Sequence, residues 1–88
     1  MNTQEARQII QNELAVYEAK PYAELVSLIN EEFHHEKQGT GGATYQIEIL
    51  ILWDSQPNGA IRVLGSIDDG GWRAFVPLTD SILKHPVE

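Results

Sequence analysis

The sequence contains no cysteine. Disulfides, thiolate nucleophiles and cysteine-bound zinc are therefore excluded. Cations are scarce as well, with six Lys and Arg against thirteen Asp and Glu and a net charge of −7. That balance argues against ordinary nucleic-acid binding, in which Lys and Arg neutralise phosphates. The longest unbroken apolar run, Ile49 to Trp53, is far short of the roughly 20 residues a membrane span needs. The N-terminus, Met1-Asn2-Thr3-Gln4-Glu5, is polar and acidic, without the basic start and apolar run of a signal peptide. A soluble cytoplasmic protein is expected, with no membrane and no nucleic-acid partner. The initial methionine fits a whole natural chain.

What is present fits a single domain over residues 1–88, because a chain this short has too few residues for two cores. Its 42% hydrophobic content suits a folded protein rather than a disordered one. The acids are spread along the chain. Residues 1–44 hold seven acids and three bases, and residues 45–88 hold six acids and three bases. With no acidic tail, the plain meaning of the charge is a solvated surface that keeps a small domain soluble. The sharper meaning is a surface that attracts a basic partner.

Residues 3–19 read as a helix. Asn2 is a good N-cap, Glu5 completes a capping-box pattern, and Ala6, Ile9, Ile10, Leu14 and Tyr17 recur at helical spacing. Pro21 opens a second helix, whose stripe is Tyr22, Leu25, Val26, Ile29 and Phe33. It stops near Asn30, and residues 32–37 are assigned to an edge strand in preference to the helix's last turns. After Gly39-Thr40-Gly41-Gly42 the period changes to two. Tyr45, Ile47, Ile49, Ile51 and Trp53 point one way, and Gln46, Glu48, Leu50 and Leu52 the other. A second strand covers 60–67, with Ile61, Val63 and Ile67 opposite Arg62, Leu64 and Ser66. Asp68-Asp69-Gly70-Gly71 reads as a tight turn into a third strand over 72–76. Thr79 or Asp80 then caps a short last helix through Leu83.

The expected fold class is α+β: two N-terminal helices packed on one face of a 3–4-stranded antiparallel β-meander, with a short C-terminal helix. One sheet face is nearly all apolar and forms the core. The other mixes Glu48, Arg62 and Arg73 with Leu50, Leu52, Leu64 and Phe75. Two short helices do not cover both faces, and an exposed apolar patch of this kind marks an interface. Leu50, Leu52, Leu64 and Phe75, with Arg62 and Arg73 setting register, are the candidate contacts for a second copy or another protein. The competing expectation is a half-exposed face tied by Glu48–Arg62–Arg73 pairs.

The block Gly65-Ser66-Ile67-Asp68-Asp69-Gly70-Gly71-Trp72-Arg73-Ala74-Phe75-Val76-Pro77-Leu78-Thr79, with Tyr45 to Asp54 ahead of it, resembles a segment of a family of small bacterial α+β proteins. The resemblance spans about residues 44–82. It implies a stand-alone bacterial domain and carries no activity or site residue with it.

Other motifs point to chemistry only weakly. Asp68, Asp69, Trp72 and Arg73 gather acids, an aromatic and a guanidinium on one turn, a candidate site for a small ligand or cation. The structural alternative is a turn whose glycines supply positive φ. His34 and His35 are adjacent, so on a strand they face opposite ways and cannot easily chelate one ion together. Asp54-Ser55-Gln56-Pro57-Asn58-Gly59 has oxygen donors at calcium-loop spacing, but Gly65 stands where a bidentate acid is required. The Gly39–Gly42 loop lacks the lysine of a phosphate-binding loop. Ser27, Ser55, Ser66 and Ser81 sit in no nucleophile motif. The expected protein is therefore not an enzyme and needs no cofactor. It is a protein-interaction domain, homodimeric or hetero-partnered. The alternatives are a ligand-binding module at the Asp68–Arg73 turn and an acidic, immunity-type inhibitor of a basic partner.

Overall fold

The structure, a computed structural model, describes residues 1–71 and 76–86. Helix α1 runs over Thr3–Glu18, started by Asn2, whose Oδ1 accepts the Glu5 N–H at 3.1 Å. This is one half of the expected capping box. Ala6, Ile10 and Leu14, four residues apart and so on one face, are buried. Helix α2 is a single turn, Tyr22–Val26, behind Pro21. It is shorter than its stripe suggests: past Val26 the backbone tightens to i→i−3 bonds, Leu28 N–H to the Leu25 carbonyl and Ile29 N–H to the Val26 carbonyl, and Asn30 then turns the chain at a left-handed φ of 70°, a conformation asparagine tolerates. The Asn30 N–H donates to the Ile51 carbonyl at 2.7 Å. Phe33, last of that stripe, lies in a strand and meets the Tyr17 ring at 6.1 Å.

Four antiparallel strands follow in the order β1-β2-β3-β4: β1 Glu32–Gln38, β2 Thr44–Trp53, β3 Ile61–Asp68 and β4 Leu78–Lys84. The edge strand expected over 32–37 is present. The C-terminal helix is not: residues 78–84 pair with β3, Ile61 opposite Lys84 and Ile67 opposite Leu78. Seven residues make a poor isolated helix, whereas pairing satisfies the outer N–H and C=O groups of β3. Alternation allows it, with Leu78 and Ile82 half-buried towards the helices. The strand expected over 72–76 falls on Trp72, Arg73, Ala74 and Phe75, which lie outside the described residues; Val76 is in no strand. β3 ends at Asp68 and β4 begins at Leu78; just beyond β3, Gly70 takes a φ of 83° and Gly71 a φ of 57°.

Both helices pack on one face. Ala6, Ile10, Leu14 and Leu25 close over Tyr45, Ile47, Ile49 and Ile51 of β2 and Ile61, Val63 and Ile67 of β3, all buried. Helix α1 lies against β3 and β4. It comes so close at Gly65 that a Cβ there would stand 2.8 Å from Ile10 Cδ1 and 3.3 Å from Leu14 Cδ2. At the far end of α1, Lys84 Nζ donates to the Glu18 carbonyl at 2.8 Å. Among the described residues no helix is long and apolar enough to cross a membrane.

Candidate interaction surface

Strand pairing fixes what the other face carries. Cross-strand partners share a face, so one row reads Leu52, Arg62, Leu83 across β2, β3 and β4. The next reads Glu32, Leu50, Leu64, Ser81, and the next His34, Glu48, Ser66, Thr79. Leu64 is 36% exposed and Leu83 39% exposed, while Leu50 and Leu52 are half-buried. Leu50 and Leu52 are not among the half-buried side chains packed against the core cluster. Among the described residues no helix packs over them.

Leu50, Leu52, Leu64 and Arg62 are thus brought together as the alternation implied. Arg62 Nε donates to Asp54 Oδ1 at 2.8 Å, and Nη1 to Ser81 Oγ at 2.8 Å. These two bonds fix the guanidinium between Asp54 and Ser81. Glu48 does not pair with Arg62. It faces His34 Nδ1 at 3.2 Å and accepts from Ser66 Oγ at 3.4 Å. Phe75 and Arg73, named as contacts with them, lie outside the described residues. Leu83 was not anticipated, because its segment read as a helix. The alternation of Thr79, Ser81 and Leu83 against Leu78, Asp80, Ile82 and Lys84 was the available signal.

The turn beyond β3 is occupied by internal contacts. Asp68 Oδ1 accepts the Gly70 N–H at 2.8 Å, the local bond of an aspartate turn. Asp69 faces the Met1 ammonium at 3.5 Å. Trp72 and Arg73 lie outside the described residues. His34 and His35 do point to opposite faces, and His35 Nε2 meets Glu13 Oε1 of α1 at 3.2 Å. Among the described residues no three His, Asp or Glu side chains gather to hold a metal ion.

A second polar cluster was not foreseen. The Glu5 carboxylate accepts Thr40 Oγ1 at 2.8 Å, Tyr45 OH at 2.8 Å and the Thr40 N–H at 3.2 Å to each oxygen. The hydrogen bond from the Thr40 side chain, then that from Tyr45, holds the Glu5 carboxyl below its ordinary value; desolvation opposes this and the Thr40 N–H assists. Burial pushes the Tyr45 phenol up to about 12, helped by its bond to Glu5 and by the charges of Glu5 and Asp69. A carboxylate so fully engaged is a clamp between α1 and the β1–β2 connection rather than a free base. Its pattern in the sequence, Glu three residues after an N-cap, signals a capping box and conceals the long-range use. Glu5→Ala is expected to free the Thr40 amide, so hydrogen exchange there accelerates while Ile49 in the central sheet stays protected. Unchanged exchange at Thr40 counts against the clamp.

A scan of protein-family models and searches of curated proteins and of solved structures find no match for the chain.

Proposed function

We propose that the protein is a protein-interaction domain whose docking surface is the open face of its sheet. The observation that supports this is the leucine group Leu50, Leu52, Leu64 and Leu83, set on a rigid sheet whose opposite face is sealed by helices. A sheet face carrying several leucines is stable when another layer covers it. Arg62, fixed by Asp54 and Ser81, supplies a directional polar contact inside an otherwise apolar patch. Arginine so placed is a common anchor in interfaces.

Leu64→Glu tests the reading. The substitution adds a charge to a position already partly in water, so the expected stability change is about 0.5 kcal/mol. Circular dichroism should be unchanged and Tm should move by about 4 °C or less. Proteins retained by the wild-type chain should be absent from the variant. A variant that captures the same proteins contradicts the reading. So does one that unfolds like a core mutant, since the face would then be an interior one.

A further inference from the structure

The open face has a charge pattern that specifies what covers it, granted that it is the docking surface. Carboxylates dominate beyond the leucines. Glu48, exposed beside His34 and Ser66, follows Leu50 along β2; one row further on stand Glu36, which accepts from Gln46 Nε2 at 3.1 Å, and Asp68. The one arginine on this face among the described residues, Arg62, is already paired with Asp54. The chain as a whole carries −7.

Shape narrows the occupant. An extended peptide adds to a sheet edge, not to a face, and the β1 edge is blunted by Glu32, His34, His35, Glu36 and Lys37. Two strand spacings of about 4.8 Å separate Leu52 from Leu83, and one two-residue step of about 7 Å separates their row from Leu50 and Leu64. That strip matches the 10–12 Å width of one α-helix, roughly. A second copy would stack a whole sheet there and set its carboxylates against these, which is unfavourable. We propose that the open face binds a cationic amphipathic helix. Its apolar residues seat on Leu50, Leu52, Leu64 and Leu83. Its Lys or Arg side chains, one to three turns along, meet Glu48 and Glu36.

Panning a displayed library of random peptides, each about 18 residues long, against the full chain tests this. The enriched peptides should carry apolar residues at i, i+3 or i+4, and i+7, with Lys or Arg in the adjoining turns. By fluorescence anisotropy their affinity should fall about tenfold with Leu64→Ser, and about fivefold with Glu36→Gln and Glu48→Gln combined. Added salt should weaken it. Enriched peptides without net positive charge, still lost in Leu64→Ser, overturn the cationic helix and leave the docking surface standing. Sedimentation showing a salt-tolerant dimer that Leu64→Ser dissolves also overturns it, because a second copy is then the occupant. Enrichment indifferent to Leu64→Ser, or none, overturns the docking surface itself.

Discussion

Gly65→Val is expected to destabilise the protein by about 3 kcal/mol, the upper part of the usual range for overpacking a core. For a domain of this size that lowers Tm by roughly 15 °C. Two effects compete at this position. Glycine inside a strand costs about 0.5–1 kcal/mol relative to alanine, and valine favours strands. In open space the substitution would therefore stabilise. But the new Cβ would lie 2.8 Å from Ile10 Cδ1 and 3.0 Å from Ile10 Cγ1. Ile10 is fully buried and Leu14 nearly so, so neither has room to withdraw without moving α1. The steric term wins. Gly65→Ala should show a smaller loss, and Ile10→Val should recover part of it, since substitutions in direct contact are not additive. Chemical denaturation of wild type, Gly65→Ala, Ile10→Val and the double variant gives the coupling. A Gly65→Val protein as stable as wild type means that α1 does not press on β3 here.

The second large effect is alkaline. With the Tyr45 phenol at about 12 in the fold against an ordinary 10.0, both states keep the proton below pH 10 and this contribution to stability is fully present. Between pH 10 and 12 the unfolded chain loses its proton first and so binds fewer protons than the native state. Stability then falls as pH rises, with a limiting slope of about tenfold in the folding equilibrium per pH unit for one proton. Tyr17, raised chiefly by burial with Glu13 adding to it, contributes in the same direction. At the acid end Glu5 acts in the opposite sense. Its lowered value gives stability that is present above the unfolded carboxyl's value and is lost as pH falls through the folded one. Tyr45→Phe should start from a lower Tm at pH 8, having lost its bond to Glu5, yet lose less between pH 8 and pH 11 than wild type does. Equal losses over that interval contradict the assignment. Absorbance at 295 nm gives an independent check, because Tyr45 should ionise at a higher pH than an exposed tyrosine does.

What could be read in the sequence followed local rules. Asn2 was legible because an N-cap is a neighbour effect, and β2 because Tyr45, Ile47, Ile49, Ile51 and Trp53 are large and apolar at every second position. The same period placed Leu50, Leu52, Leu64 and Arg62 on one face. β4 was misread because Thr79 and Asp80 look like caps ahead of Ile82 and Leu83, while the opposing signal, the unpaired edge of β3, belongs to another segment. Leu83 was lost with it. Gly65 showed only as a glycine in a strand pattern; which residues crowd it depends on where α1 crosses. Glu5 was assigned to its own helix start, whereas its carboxylate reaches residues 35 and 40 positions away. Each miss is a contact distant in sequence.

The central claim is that the open face, and not the Asp68–Gly71 turn, receives the partner. NMR of the labelled chain, with leucine methyls and backbone amides both observed and the tightest peptide from the selection titrated in, tests it most directly. The account predicts that the methyl signals of Leu50, Leu52, Leu64 and Leu83 shift while those of buried Leu14 and Leu25 hold still. Perturbations centred on the Asp68–Gly71 amides, with the four open-face leucines unmoved, would contradict it.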